Sequence, residues 1–299
     1  MNLINGIFKR LYWPICRAYA RHLGDRPADS LLRFLCSIDY YRLNRFWPNF
    51  VHPQYFSEKL WNRMLYDRNP QLTLLNDNLR VREHVKSKVG SDYLIPLLWS
   101  GNSPKEIPFD ELPLQFVLKA NHGCGYNIIV RDKSQIDRLK NKRQLQKWLD
   151  ENFGQDKYLG IAWGYKNIRR SILIEEFINE NGKAPLDFKC WVFSGHLEFF
   201  SVHFDRFERH SVSTFDRNFR PIDVGLPLTE KRREYYGPEN YKEMINVAET
   251  LAEEFDFMRV DLYNLGGRIY FGEYTPYPGG VTIRFLPKEM DYLLGERWK

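Results

Sequence analysis

RVDLYNLGGRIYFGEYT, residues 259–275, reads as two strands folded back on a turn. Side chains alternate along a strand, so Arg259, Asp261 and Tyr263 share one face, as do Phe271, Glu273 and Thr275. The turn decides whether the two charged sets meet. A three-residue loop at Leu265–Gly267, its glycine left-handed, pairs Asn264 with Arg268 and sets Glu273 opposite Arg259. Asp261 then lies one diagonal step away, with Cβ atoms roughly 7 Å apart. A two-residue loop throws Glu273 to the other face. In the first register Asp261 and Glu273 can grip Mg²⁺, which favours one or two carboxylates plus substrate phosphates. Arg259 beside them can neutralise phosphate or a developing oxyanion. The alternative is a solvated charged face on an edge hairpin.

Outward from this stretch, hairpins recur. Phe188–Phe193 and His196–Phe204 flank Ser194-Gly195, and Gln115–Ala120 returns through Ile128–Val130. Ile172–Ile178 is a further strand by its β-branched content. Helical spacing marks Ser134–Asn152, with Ser134 as the cap, and Glu239–Phe255. Upstream, Phe56–Val89 is helical with a break at Asn69-Pro70, and Leu94–Trp99 is a short strand. Helices mixed with antiparallel hairpins predict an α+β fold with antiparallel sheets over a doubly wound parallel one.

Val117–Asn127 (VLKANHGCGYN) places Lys119 at a strand end and Gly123 and Gly125 in the loop beyond it. Glycines let backbone N–H groups approach phosphate oxygens, though a plain hairpin turn has the same pattern. No Gly-Lys-Ser/Thr follows, which excludes a Walker loop. Glu175, Glu176, Phe177 and Ile178 end an apolar strand where backbone and carboxylate can read a base and ribose, or face solvent. Asp187 and Lys189 share a strand face. His203, Asp205, Arg206, Arg209 and His210 crowd the end of another; no third His or Cys makes His203 and His210 a metal site.

The charge balance is +6, with four scattered cysteines and 16% aromatic residues. The excess suits polyphosphate, acidic glycan or anionic membrane. No paired Cys/His spacing or RNA-binding aromatic signature supports nucleic acid. The cysteines fit a reducing compartment, and a cytoplasmic location is expected. Within residues 1–24, Leu3, Ile4, Ile7, Phe8, Leu11, Ile15, Tyr19 and Leu23 recur at helical spacing among Lys9, Arg10, Arg17 and Arg21, with no acid before Asp25. Such a helix packs on its own domain or lies at the inner face of an anionic membrane, with Pro14 expected to kink or split it.

In order and spacing, FSEKLW…YDRNP, VREHV, YLIPLL, QFVLKANHGCGYNI, ILIEEFI, DFKCWVFSG, FMRVDLYNLGGRIYFGEYTPYPGG and LGERW resemble the ATP-grasp superfamily, most of all its TupA-like branch, over roughly Phe56–Trp298. That branch is associated with bacterial surface-polysaccharide and teichuronopeptide loci. The resemblance implies two α+β subdomains gripping ATP: a helical segment over 1–55, then an ATP-grasp domain over 56–299, nucleotide-gripping about 112–180 and metal-binding and catalytic about 181–299. It implies that Lys119 holds phosphates under Gly123 and Gly125, that Glu175 through Ile178 form an adenine hinge, and that Asp187 sits near ribose. Lys189 would stand near the terminal phosphate, Asp261 and Glu273 on Mg²⁺, and Arg259 at the transition state. Arg206 joins the catalytic set, with His203 and Asp205 on the acceptor side. Thr275 stands where many relatives carry a metal-binding Asn, and Asp77-Asn78 where an Asp-Lys pair is expected, with Arg80 or Arg82 as substitutes. The implied activity is ATP-dependent ligation of a carboxylate to an amine, with an amino acid or small carboxylate and an amino-sugar, sugar-nucleotide or lipid-linked acceptor as partners. A kinase of the same fold, a glycosyltransferase and a non-catalytic binder are the rivals.

Overall fold

The computed structural model describes residues 2–179, 184–205, 210–226 and 233–299, with side chains described from Leu11 onward except those of Tyr158 and Val281. Helices α1 (Asn2–Leu23), α2 (Ser30–Asn44), α3 (Phe56–Tyr66), α4 (Pro70–Leu75) and α5 (Val81–Val89) come first. β1 (Leu97–Gly101), β2 (Phe116–Ala120) and β3 (Asn127–Val130) follow, then α6 (Arg138–Asp150), α7 (Phe153–Asp156), α8 (Trp163–Lys166) and β4 (Ile172–Glu176). The rest comprises β5 (Leu186–Phe193), β6 (His196–Phe204), β7 (Ser211–Phe215), α9 (Tyr241–Ala252), β8 (Phe257–Leu265), β9 (Arg268–Thr275) and α10 (Lys288–Arg297). Two antiparallel sheets result, in the orders β1-β4-β2-β3 and β7-β6-β5-β8-β9. Among the described residues no helix is long and apolar enough to cross a membrane.

Local chemistry explains most boundaries. The Asn69 side chain accepts the N–H of Gln71, and Pro70 sits in the first turn, where its missing N–H costs nothing. The expected cap at Ser134 is displaced. Ser134 belongs to a short 3₁₀ turn, and Asp137 caps α6 by accepting from Lys140. The first strand likewise starts at Leu97, and Leu94 makes a single bridge to Phe271 of β9. α1 runs continuously through Pro14.

The five-stranded sheet divides its faces by alternation. Phe188, Cys190, Val192, Phe200, Val202, Val260 and Leu262 turn to one side and pack with Met244, Val247, Ala248 and Leu251 of α9. The other side carries the charged residues of the cleft, and further along the same strands Trp191, Phe193 and Phe257 pack on α3. α10 closes this second core: Trp298 lies 5.3 Å from Phe56 and 4.6 Å from Phe257, centroid to centroid. A Cβ on Gly295 would sit 1.9 Å from the Gln54 carbonyl, so α10 meets the segment before α3 at backbone contact. A third core joins β2 and β4 to α6 through Phe116, Leu118, Ile172, Ile174, Leu145 and Trp148.

Candidate active site

The β8–β9 hairpin corrects the register expected for it. Gly266 and Gly267, with φ of 56° and 86°, form a two-residue turn that pairs Leu265 with Arg268. Both central residues of such a turn need positive φ, which glycine adopts without strain. Continued regularly, that pairing would set Asp261 against Gly272 and turn Glu273 away. A bulge intervenes: Leu262 pairs with Phe271 and Asp261 with Glu273, leaving Gly272 as the extra residue. Glu273 therefore stands directly opposite Asp261, and Thr275, not Glu273, stands opposite Arg259. A glycine inside a strand pattern is the sequence signal for such a bulge.

β5 supplies the neighbours, pairing Asp187 with Tyr263 and Lys189 with Asp261. The Lys189 ammonium donates to Asp261 Oδ2 at 2.6 Å and lies 2.9 Å from Asp187 Oδ2. Arg259 donates Nε to Asp261 Oδ1 at 2.7 Å and Nη2 to Oδ2 at 2.8 Å, a bidentate grip. Its Nη2 also reaches Thr275 Oγ1 at 3.0 Å and stands 3.8 Å from Glu273 Oε1. Burial raises the Asp261 carboxyl, but Arg259 and Lys189 together outweigh it and hold Asp261 well below the usual carboxylate range. Glu273 is pushed up, by burial first and then by the Asp261 charge. Its side chain keeps 35% of its surface open toward the cleft. Three carboxylates thus face two cations, and Glu273 is the one left under-neutralised. Both Asp261 oxygens are taken by Arg259 and Lys189, so Glu273 is the carboxylate left with surface open to a divalent cation. Among the described residues no group of three or more His, Cys, Asp or Glu forms a metal cage.

Across the cleft, Lys119 on β2 forms an ion pair of 2.5 Å with Glu175 on β4, which in turn takes Arg82 at 2.7 Å. Arg82 also donates to the Ile95 carbonyl at 2.7 Å. Arg80, the other expected stand-in for a phosphate lysine, is turned aside onto Asp77 and the Arg169 carbonyl. Asn121, buried at the start of the glycine loop, fixes this end of the sheet by donating to Asp77 at 2.7 Å and accepting from the Ser171 N–H at 2.7 Å. Gly125 holds φ +76°, and a Cβ on Gly123 would meet the rings of Tyr126 and Phe153 at 2.7 to 2.8 Å. The loop is thus packed from beneath by Tyr126, which stacks on Trp148 at 5.0 Å.

Between the two sheets lies a cleft of about 350 Å³, in the range of small-molecule sites. Its walls include Lys119, Gly123, Gly125 and Glu175 through Ile178 from one sheet, and Asp187, Asp261 and Glu273 from the other. Asn78, where the resemblance led us to expect a lysine, also lines it, together with Asn127, Tyr263 and Gly272, to which the sequence reading gave no role. Lys189 and Arg259 stand behind its carboxylates. His203 pairs across strands with Asp187, and its Nδ1 stands 2.9 Å from His210 Nε2, at hydrogen-bonding distance. Burial first and then the Lys189 charge push His203 down to about 2, so it is neutral and a weak base. Like Asp205, it does not line the cleft. Asp205, at φ 45°, is paired with Arg233 at 2.5 Å and does not line the cleft. Arg206 and Arg209 lie outside the described residues.

Two antiparallel α+β sheets closing on a cleft, with a lysine and glycine loop on one wall and opposed carboxylates on the other, make an ATP-grasp architecture. The chain belongs to the TupA-like ATP-grasp family, whose model matches residues 58–299. No curated protein matches the chain. Among solved structures it is similar to a D-alanine–D-alanine ligase from Bacillus anthracis complexed with ATP, at 14% identity and a TM-score of 0.41, covering 69% of this chain and 55% of that one. A D-alanine–D-alanine ligase from Helicobacter pylori matches at 12% identity and a TM-score of 0.43, covering 75% and 58%. An N5-carboxyaminoimidazole ribonucleotide synthetase in complex with ADP matches at 11% identity and a TM-score of 0.45, covering 74% and 50%. The chain thus spans about half the length of these relatives.

Proposed function

We propose that this protein is an ATP-dependent carboxylate–amine ligase that works through an acyl phosphate. The observation that carries the reading is the single charged row of Asp187, Lys189, Arg259, Asp261 and Glu273, facing Lys119 and the glycine loop across one cleft. ATP is the nucleotide this arrangement suits. Val117, Ile129, Phe177 and Ile178 offer apolar walls to a base, and Glu175 through Ile178 form the hinge in a nucleotide-gripping subdomain of about residues 112–180. Lys119, released from Glu175, takes phosphate oxygens above Gly123 and Gly125, while Arg82 keeps Glu175 neutralised. In the metal-binding and catalytic subdomain, about residues 181–299, Asp261 and Glu273 would hold Mg²⁺. Bound there, the ion draws off negative charge from the phosphates. Asp187 stands on the ribose side.

A substrate carboxylate oxygen attacks the γ-phosphorus, the bridging oxygen leaves with ADP, and an acyl phosphate results. An amine nitrogen then attacks the acyl carbon, the carbon–oxygen bond to phosphate breaks, and the departing phosphate takes up the amine proton, leaving an amide. Phosphoryl transfer of this kind depends chiefly on positioning and charge neutralisation. The hold of Lys189 and Arg259 on Asp261 supports that part for them. His203, being neutral, serves the acceptor side by hydrogen bonding. The family resemblance favours an amino acid or small carboxylate joined to an amino-sugar of a bacterial surface polysaccharide, within the cytoplasm.

Calorimetric titration of ATP with Mg²⁺ into the wild type and Lys119→Ala, against a panel of UDP-sugars, tests the reading. Binding of ATP that the variant loses supports it, and release of phosphate only with both carboxylate and amine present completes it. Preference for a UDP-sugar refutes it in favour of a glycosyltransferase. ADP formation with a phosphorylated product and no need for amine refutes it in favour of a kinase.

A further inference from the structure

The helical segment ahead of the ATP-grasp domain packs against it with one face only. α1 and α2 form an antiparallel pair: Tyr12 donates to the Leu35 carbonyl, Trp13 Nε1 to Asp39 at 3.4 Å, and Tyr19 to Asp29 at 2.6 Å. Cys16, Ala20 and Leu23 of α1 and Leu32, Cys36 and Tyr40 of α2 lie inward, in the core shared with α3. The outward side is apolar as well. On α1, Leu11 and Ile15 are 67% and 60% exposed. On α2, Leu31, Phe34 and Tyr41 are exposed and Ile38 half-buried, at the i, i+3, i+7, i+10 spacing of one helical stripe. Helix geometry puts both stripes beside the α1–α2 seam, on the side away from the core. Trp47, 54% exposed, extends the patch, its ring 6.3 Å from Phe34 and 5.8 Å from Tyr41.

Isolated exposed apolar residues are ordinary; a contiguous face with clustered aromatics marks an interaction surface. Its charge setting selects the partner. Residues 1–55 hold eight Lys or Arg against three Asp, a local balance of +5 in a chain whose total is +6. Among the acids, Asp39 is buried and held by Arg42, and Asp29 is occupied as the α2 cap and by Tyr19. A row of Leu, Ile and Phe with Trp and Tyr beside it, in a segment of net positive charge, matches the acyl–headgroup boundary of an anionic leaflet. Nucleic acid would match the charge and leave the aliphatic stripe without a use. We propose that the outer face of α1 and α2, with Trp47, is a docking surface for an anionic lipid bilayer, on which the protein lies without inserting a spanning helix. This stands apart from the ligase reading, because no residue of the face lines the cleft.

The test is sedimentation of the full chain with vesicles of phosphatidylcholine alone and of phosphatidylcholine and phosphatidylglycerol in equal parts, at low and high salt. Binding to the mixed vesicles alone, weakened by salt, is expected. The double variant Phe34→Glu, Trp47→Ser should lower the partition coefficient about tenfold or more, since binding scales with apolar area buried. Its melting temperature and its ATP titration should match those of the wild type. Should that variant not fold, bromine-labelled acyl chains replace it: they should quench wild-type tryptophan fluorescence, and Trp47→Phe should remove most of the quenching. Failure to bind mixed vesicles, equal binding to phosphatidylcholine alone, or quenching unchanged in Trp47→Phe each overturns the proposal. So does a wild-type dimer that the double variant turns into monomer, which would make the face a contact between copies.

Discussion

Replacing Asp291 by asparagine should stabilise the protein at neutral pH and do nothing in acid. Asp291 lies in the first turn of α10, is 3% exposed, and accepts from the Ser57 N–H at 3.0 Å and from its hydroxyl at 2.5 Å. No cation pairs with it among the described contacts, and Glu58 nearby carries the same charge. Burial chiefly drives its carboxyl up to about 6 from an ordinary 3.8. The folded state thus binds this proton more tightly than the unfolded chain. Its contribution to stability is complete below about pH 4 and is lost as pH rises through about 6. The rise from 3.8 to about 6, at about 1.36 kcal/mol per pH unit, makes the loss roughly 3 kcal/mol by neutral pH. The amide keeps the acceptor for the Ser57 N–H and can donate to Ser57 Oγ, whose proton then turns to Tyr40, 2.8 Å away. Urea unfolding at a series of pH values from 4 to 8 measures the effect. The wild type should lose stability between about pH 4 and pH 6 relative to Asp291→Asn, the curves meeting in acid and standing up to about 3 kcal/mol apart at neutrality. Parallel curves, or a variant weaker than the wild type at neutral pH, would refute the reasoning.

The two opposed carboxylates should respond differently to neutralisation. Asp261→Asn leaves Lys189 and Arg259 buried without their shared partner and should cost about 3–5 kcal/mol in unfolding free energy. Glu273→Gln, at a carboxyl already inclined to hold its proton and partly open, should leave unfolding nearly unchanged and abolish the Mg²⁺ dependence of nucleotide binding. Equal stability losses in the two would contradict the assigned geometry. Gly272→Ala brings a Cβ to 3.0 Å from the Tyr263 ring and 3.1 Å from the Asp261 carbonyl. It should destabilise by about 1–2 kcal/mol and weaken Mg²⁺-dependent ATP binding, read by urea melts and calorimetry.

Elements whose signal is local were legible in the sequence. The Ser194-Gly195 turn, both residues at positive φ, and the break at Asn69-Pro70 lie where their residue types put them. Lys119, Gly123, Gly125, Glu175–Ile178, Asp187 and Asp261 are brought to one cleft because each lies at or just beyond a strand end or on a strand face whose alternation is visible, whereas Glu273 joins them only through the bulge at Gly272. Features that depend on contacts distant in sequence were not. Ser134 and Asp137 are both good caps, and only the packing of α6 on β2 chooses between them. β7 has no long apolar run and is a strand because the free edge of β6 pairs with it. Asp205 is chemically apt for the acceptor side, but its left-handed backbone and Arg233 turn it elsewhere.

The supernumerary place of Gly272 bears on how this hairpin can change length in descent. Delete Gly272, and Leu262 still meets Phe271 while Asp261 still meets Glu273, now on an uninterrupted ladder. Delete a glycine of the turn, and one residue remains, too few to reverse the chain, so the strands must slip and the carboxylates part. Tolerance to single-residue loss is therefore confined to one position in the strand, beside the most exacting chemistry, while the exposed loop that looks permissive is the part that cannot be shortened.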